Sequence, residues 1–130
     1  MAEGKKHMVV GVDDDFRVRE SIESLMESAG YLPRVFSSGE ELMASGALDS
    51  ATCVITDVRM PGMTGIELQR RIRMERPKLP VVFISAHYDE EIRIRALNEG
   101  AIGFLYKPFD AADLLDVIQA AVMNSRQEQE

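Results

Sequence analysis

The chain has little cysteine, no long apolar run and no excess of positive charge, and each absence excludes a class of protein. Its one cysteine, Cys53, cannot form an intramolecular disulfide and has no companions for a metal cluster. No apolar run approaches the roughly 20 residues that a membrane-spanning helix needs. A formal net charge of −7 argues against a nucleic-acid surface. We therefore expect neither membrane insertion nor direct nucleic-acid binding.

The composition is that of an ordinary globular domain. With 130 residues, 45% of them hydrophobic and 28% charged, the chain is large enough for one hydrophobic core. The first seven residues are polar and carry no apolar segment of a secretion signal, so a reducing cytoplasm is the expected location. Cys53 lies in an apolar stretch and is expected to be buried and inert.

Five short apolar runs alternate with five amphipathic stretches. The runs are residues 8–12, 31–36, 52–56, 80–85 and 101–106. Several consist of consecutive β-branched or aromatic residues, which is typical of strands buried on both faces. Pro33 in the second run favours an edge strand. Strand–helix alternation repeated five times predicts a doubly wound parallel α/β sheet with helices on both faces.

The amphipathic stretches carry start and stop signals for helices. The first has one apolar stripe, formed by Val18, Ile22, Leu25, Met26 and Ala29. Gly30 follows it as a stop. Ser38 and Thr64 are each followed by Glu at capping-box spacing, and Asp89 and Asp110 are expected to cap the fourth and fifth helices. The buried face of the fifth helix is predicted to be Leu114, Leu115, Ile118, Ala121 and Val122. We expect one domain over residues 1–123, with 124–130 a polar tail, either a frayed end or the start of a linker.

Acidic residues follow two of the predicted strands. Asp13, Asp14 and Asp15 come directly after the first strand, and Asp57 follows the third. In a doubly wound sheet these strands are able to flank the topological switch point, where ligands bind. Carboxylates held close together repel one another unless a cation neutralises them, and a site with oxygen ligands alone suits Mg²⁺. The alternative for residues 13–15 is a solvated turn that caps the next helix.

A carboxylate beside such an ion is placed to attack phosphorus, as aspartyl-phosphate chemistry requires. Ser85 ends the fourth strand with a hydroxyl that is able to donate to a phosphoryl oxygen, and Ala86 leaves room for access. Lys107 ends the fifth strand with a cation, and Pro108 is a candidate for a cis bond that aims it inward. Taken singly, Ser85 is better explained as a helix cap and Lys107 as a solvated loop lysine. Their joint placement at strand ends is the specific signal.

The chain resembles the receiver domains of two-component response regulators, which have the chemotaxis-regulator fold. The resemblance runs from about residue 8 to residue 123. It is carried by Asp13, Asp14, Asp57, Ser85, Phe104, Lys107 and Pro108. The stretch from Thr56 to Gly65 is most similar to the nitrogen-fixation (FixJ-like) subclass. The resemblance implies a flavodoxin-like five-stranded parallel sheet with strand order 2-1-3-4-5.

The resemblance also implies roles for individual residues. Asp57 would take a phosphoryl group from a sensor histidine kinase. Mg²⁺ (or Mn²⁺) would be bound by Asp14, Asp57 and the backbone carbonyl of Arg59, with Asp13 acting through water. Ser85 and Phe104 would form a coupled switch that alters the surface of the fourth helix, fifth strand and fifth helix.

Such a domain signals and is not an enzyme, beyond assisting its own phosphorylation and dephosphorylation. Its output would pass through a homodimer on that surface, through docking to another protein, or through a C-terminal DNA-binding effector outside this chain. Arg59, Ala86 and His87 would border the path of attacking water. Arg59 is at least as well explained as a solvated rim arginine, and His87 is better explained as an exposed loop histidine.

Three other functions are compatible with the same fold. A phosphohydrolase would pair Asp57 with a second acid two residues later, where this chain has Arg59. A flavin-binding module needs a phosphate loop rich in Ser, Thr and Gly after the first strand, where the acidic Asp13 and Asp14 would repel a phosphate. A pseudo-receiver would share the fold and bind partners without accepting phosphate.

Overall fold

The computed structural model describes residues 6–129 and consists of alternating strands and helices. The strands are β1 (Met8–Val12), β2 (Leu32–Phe36), β3 (Ala51–Asp57), β4 (Val81–Ser85) and β5 (Gly103–Tyr106). The helices are α1 (Phe16–Ser28), α2 (Gly39–Ser45), α3 (Gly65–Glu75), α4 (Glu90–Asn98) and α5 (Ala111–Gln129), with a 3₁₀ turn at Ala47–Asp49. All five predicted strands are therefore present, and no bound differs from the prediction by more than two residues.

The five strands form one parallel sheet in the order β2-β1-β3-β4-β5, as the resemblance implies. Pro33 lies in the edge strand β2, where its missing N–H removes no hydrogen bond from the centre of the sheet. β1 and β3 are neighbours, with Val12 paired to Thr56. The carboxyl ends of the central strands therefore meet at one edge of the sheet.

The core has two layers, one on each face of the sheet. On one face, α1 and α5 bury residues such as Ile22, Met26, Leu114 and Ile118 against the central strands. On the other face, α2, α3 and α4 cover the sheet through Leu42, Leu68, Ile72 and Ala96. β4 is buried along its whole length, as its continuous apolar sequence predicts.

The helix caps follow the predicted signals, except that Ser38 forms only half of a capping box, because the Glu41 carboxylate accepts from the Ser37 N–H. Thr64 and Glu67 form a reciprocal capping box at the start of α3. The Asp89 carboxylate accepts from the Ile92 N–H, and the Asp110 carboxylate accepts from the N–H of Ala112. Each cap satisfies N–H groups that have no partner inside the helix, so each helix begins at a defined residue.

Two predicted helix ends differ in the structure. The sequence pattern places Ala29 on the buried stripe of α1, but it is the exposed C-cap of that helix. The tail expected from residue 124 is helical, since α5 continues to Gln129. Segment 124–129 contains no Gly or Pro and is rich in Arg, Gln and Glu, which favour helix even without an apolar stripe. The polar segment 1–5, considered above for a secretion signal, lies outside the described residues.

Two further expectations concern burial and membranes. Cys53 is fully buried in β3, and this burial raises the pKa of its thiol to about 12, so it is inert as a nucleophile at neutral pH. Across residues 6–129, no helix combines the length and the apolar character that a membrane span requires.

Candidate functional site

Polar side chains from four strand ends meet at the carboxyl edge of the sheet. Asp13 follows β1, Asp57 ends β3, Ser85 ends β4 and Lys107 follows β5. The register pairs Asp57 with Ile84 on β4, one residue from Ser85. The parallel pairing of the strands thus brings residues that are far apart in the sequence to the same edge of the sheet.

Three carboxylates form the centre of this edge. Asp13 is fully buried and Asp57 is 6% exposed, while Asp14 is exposed to solvent. Each offers an oxygen, and the three oxygens all lie within 4.8 Å of one another. Asp13 is held in place because its Oδ1 accepts from the backbone N–H of Asp15 at 2.8 Å. The Asp15 carboxylate caps α1 by accepting from the Arg17 N–H.

This donor set fits a hard divalent cation. All three donors are carboxylate oxygens, which Mg²⁺ and Mn²⁺ prefer, and no sulfur or imidazole atom belongs to the group. Because Asp14 is exposed, solvent reaches one side of the cluster, so an ion there would keep water ligands. The residues present therefore fit the metal that the sequence predicts.

Burial and like charge disfavour the ionised form of the Asp57 carboxyl. Burial raises its pKa above the ordinary value of 3.8, and the neighbouring Asp13 raises it further. The ammonium of Lys107 and a hydrogen bond from the Val58 N–H act in the opposite direction without cancelling the first two effects. Added positive charge near Asp57 would therefore stabilise its ionised form.

Lys107 supplies positive charge from within the fold. Its Nζ lies 2.8 Å from Asp13 Oδ2 and 3.3 Å from Asp57 Oδ2. Burial lowers the pKa of Lys107, but the hydrogen bonds and charges of Asp13 and Asp57 outweigh this and raise it overall. The backbone N–H of Lys107 donates to the Ser85 carbonyl at 2.8 Å, and the bond from Lys107 to Pro108 is cis. Lys107 is therefore a charged partner of both acids.

The loop between β3 and α3 brings the helix close to Asp57. The Gly65 N–H donates to the Val58 carbonyl at 2.8 Å. A Cβ on Gly65 would lie 2.1 Å from the Asp57 carbonyl oxygen, so no other residue fits there without moving the backbone of the candidate acceptor. This role of Gly65 was not predicted, although glycine at the first position of a helix, after a Thr cap, is itself an unusual choice.

Ser85 is buried, and its hydroxyl is bound within its own loop. Its Oγ donates to the His87 carbonyl at 3.0 Å and accepts from the His87 N–H at 3.1 Å. It does not cap α4, because Asp89 does. Ala86 and His87 are exposed beside it, which agrees with an open approach to the strand ends.

Arg59 and Phe104 lie at the border of the site. Arg59 is exposed, with its guanidinium 3.8 Å from Asp89 Oδ2. Phe104 is half-buried, and its ring is 5.9 Å from the ring of Phe83 and 5.5 Å from that of Tyr106. Neighbouring aromatic rings therefore cover one side of the Phe104 ring, and the other side remains partly exposed.

Two contacts of the site have no signal in the sequence. Arg19 of α1 donates from Nη1 to the Asp13 carbonyl at 2.8 Å. Glu40 of α2 accepts at Oε2 from the Met63 N–H at 2.9 Å and so contacts the loop after Asp57. Both residues reach the site from helices, and only tertiary packing reveals them.

The sequence is similar to a known family and to several known proteins. The family described as the response regulator receiver domain matches residues 9–119. Nodulation protein W of Bradyrhizobium diazoefficiens is 35% identical over 125 residues, which are 96% of this chain and 55% of that protein. The transcriptional regulatory protein FixJ of the same organism is 35% identical over 118 residues, which are 91% of this chain and 57% of that protein.

Solved structures agree in fold. The response regulator StyR has a TM-score of 0.87 and 38% identity, over 96% of this chain and 63% of that one. The chemotaxis protein CheY4 of Vibrio cholerae has a TM-score of 0.82 and 28% identity, over 90% of this chain and 99% of that one. The chain spans little more than half the length of the two curated relatives named above.

The sheet order and the polar strand ends define the class as a flavodoxin-like receiver fold. The chain belongs to the response regulator receiver domain family of two-component signalling. Members of this family are signalling domains, and relatives of this chain include transcriptional regulators.

Proposed function

We propose that this chain is a phosphoacceptor receiver that takes a phosphoryl group from a sensor histidine kinase onto Asp57. The observation that carries the proposal is the Asp57 carboxylate itself. It lies at a strand end, grouped with Asp13 and Asp14, and it is 3.3 Å from the ammonium of Lys107. A nucleophile, a candidate metal site and a fixed cation are thus adjacent.

The transfer needs one nucleophile, one leaving group and one fixed cation. A carboxylate oxygen of Asp57 attacks the phosphorus of the phosphohistidine, forming a P–O bond as the P–N bond to imidazole breaks. The leaving imidazole keeps the electron pair of that bond and takes a proton from solvent. Lys107 remains protonated and pairs with a phosphoryl oxygen, as ammonium groups do at phosphate sites. Asp57 gives up no proton, because it reacts as the anion.

Asp13, Asp14 and Asp57 would hold Mg²⁺ or Mn²⁺, together with the backbone carbonyl of Arg59. The bound ion supplies positive charge that offsets both the acids and the incoming phosphoryl oxygens. Ala86 and His87 leave the approach to Asp57 open, and Arg59 stands at its rim.

A phosphohydrolase is the less favoured function. Its second acid would occupy the position of Arg59, which instead carries a guanidinium paired with Asp89. That position therefore supplies a cation and no general acid, which disfavours catalysed turnover of a small phosphate ester.

The experiment uses a small phosphodonor. The protein is incubated with acetyl phosphate and Mg²⁺, and its intact mass is measured. We expect a single phosphoryl adduct when Mg²⁺ is present. In a sample that is chelated before the phosphodonor is added, the adduct yield should fall about 10-fold or more, because the positive charge of the metal is missing. An equal yield in the chelated sample would contradict the metal-dependent part of the proposal.

The proposed switch couples the acceptor to a partner surface. Phosphorylation would draw the Ser85 hydroxyl away from its two bonds to His87 and towards a phosphoryl oxygen. The space it leaves would admit the half-buried ring of Phe104, which changes the surface formed by α4, β5 and α5. A partner then shifts the balance between the two states by its differential affinity for them.

Ser85→Ala tests this coupling. The variant loses one buried hydroxyl, a cost of about 1 kcal/mol, and should still fold and accept phosphate. We expect it to lose the phosphorylation-dependent change in dimerisation or partner binding, measured by sedimentation with and without acetyl phosphate. If Ser85→Ala keeps the full change shown by the wild type, the coupling is wrong.

The partners follow from the same proposal. A histidine kinase would deliver the phosphoryl group, and a second copy of the chain would pair through α4, β5 and α5. Because the relatives are longer than this chain and include transcriptional regulators, a DNA-binding effector C-terminal to residue 123 is proposed as the output. The receiver would then comprise residues 1–123, with 124–130 leading towards the effector.

A further inference from the structure

The start of α2 interlocks with the loop that follows Asp57. The Glu40 carboxylate accepts from the Met63 N–H at 2.9 Å. A Cβ on Gly62, whose φ is +78°, would lie 2.6 Å from Glu40 Oε2. A Cβ on Gly39 would lie 2.9 Å from the sulfur of Met63. Each segment therefore has a glycine where the other approaches, and the two fit closely together.

This interlock is the outer support of the β3–α3 loop. At its inner end the loop is closed by the hydrogen bond from the Gly65 N–H to the Val58 carbonyl. Met63 lies between that bond and the exposed tip of the loop, and its N–H is bound by a side chain 23 residues away. The loop also contains Arg59, whose carbonyl is the proposed backbone ligand of the metal.

We propose that Glu40 is a positioning residue for the phosphoacceptor site. By holding the Met63 N–H, its carboxylate sets the path of the loop and, through it, the position of the Arg59 carbonyl, two residues after Asp57 in the chain. This inference rests on the proposed function, since it assigns Glu40 a part in metal binding at that same site. Glu40 belongs to neither the acidic cluster nor the ion pairs of Lys107, so it acts only through the loop.

Glu41 provides a matched control. It is the next residue in the first turn of α2, and it carries the same charge next to the same helix terminus. Its Oε1 accepts from the Ser37 N–H at 2.7 Å, and its own N–H is bound by the Ser38 hydroxyl. Glu41 therefore supports the start of α2 through bonds within its own segment.

The experiment compares Glu40→Ala, Glu40→Gln and Glu41→Ala with the wild type by two measurements. Amide hydrogen exchange reports the protection of the Met63 N–H. We expect exchange about 10-fold faster in Glu40→Ala, the effect of losing one charge-assisted hydrogen bond. Glutamine keeps a carbonyl oxygen at the same reach, so Glu40→Gln should retain most of the protection, and Glu41→Ala all of it.

The second measurement is Mg²⁺ binding by calorimetry, without phosphodonor. We expect Glu40→Ala to weaken Mg²⁺ binding by roughly 10-fold, the lower end of the range seen when a residue that supports a metal ligand is lost. Glu40→Gln and Glu41→Ala should bind within a small factor of the wild type. An effect of equal size in Glu41→Ala would show that α2 stability, and not the loop contact, is responsible, and would overturn the inference.

The two proposals fail in different ways. If Glu40→Ala leaves both Met63 exchange and Mg²⁺ affinity unchanged, the role of Glu40 is overturned. This holds even if the wild type accepts a phosphoryl group from acetyl phosphate. A wild type that binds Mg²⁺ but forms no adduct overturns the proposed function, while faster exchange and weaker Mg²⁺ binding in Glu40→Ala would still support the loop contact.

Discussion

Asp57→Asn is expected to form no phosphoryl adduct and, without divalent cations, to unfold at a higher temperature than the wild type. The amide cannot act as the nucleophile, so adduct formation should fall to background. The gain in stability follows because Asn removes a charge that is disfavoured by burial and by Asp13. Intact-mass measurement with acetyl phosphate and Mg²⁺, and thermal unfolding in a chelating buffer, check the two results on separate portions of one preparation.

The gain should depend on pH in a defined direction. Because the pKa of Asp57 is raised in the folded state, its stabilising contribution is present below the unfolded-state pKa and lost as the pH rises through the folded-state pKa. The difference in unfolding temperature between Asp57→Asn and the wild type should therefore be largest at neutral pH, where Asp57 is ionised. It should shrink as the pH falls towards 3.8, the ordinary pKa of the group. A variant less stable than the wild type at neutral pH without cations would contradict the electrostatic account.

Gly65→Ala is expected to have the largest effect on stability. The added Cβ would lie 2.1 Å from the Asp57 carbonyl oxygen and 3.0 Å from an atom of the Phe83 ring, so strand end and helix must separate. We expect a loss of about 3 kcal/mol in the free energy of unfolding, the upper part of the range for overpacking. The rate of adduct formation should fall as well, because the displaced backbone is that of the acceptor. Thermal unfolding and adduct kinetics measure the two effects.

Gly46→Ala is the matched control for this variant. Gly46 has a φ of +80° and open space around its Cβ position, so alanine there meets backbone strain without a clash. It should cost about 1 kcal/mol and leave the adduct rate unchanged. If Gly65→Ala were no more destabilising than Gly46→Ala, the close approach of α3 to Asp57 would not constrain the site.

Most of the fold could be predicted because the parallel sheet is buried on both faces. A short, continuous apolar run such as that in β4, placed between amphipathic stretches, is typical of a central parallel strand, and Pro33 indicated the edge strand. The course of α5 beyond residue 123 was missed because its last residues have helix propensity but no apolar stripe. Strand order came from the resemblance, since strand alternation alone leaves several orders open.

The grouping of acids at the site could be predicted for a topological reason. Parallel strands end at the same edge of a sheet, so residues directly after β1 and β3 meet once the strands are neighbours. Side-chain direction could not be predicted in the same way. Ser85 bonds to its own loop, and Glu40 reaches the site across 23 residues of sequence, because both contacts depend on how the folded loops and helices pack.

The most direct test of the account is the position of the phosphoryl group. Wild-type protein is phosphorylated with acetyl phosphate and Mg²⁺, the acyl phosphate is reduced with borohydride, and peptides are mapped by mass spectrometry. Reduction turns a phosphorylated aspartate into homoserine, so the account predicts homoserine at position 57 alone. Homoserine at Asp13 or Asp14, or an adduct that resists reduction, would contradict the assignment of Asp57 as the acceptor.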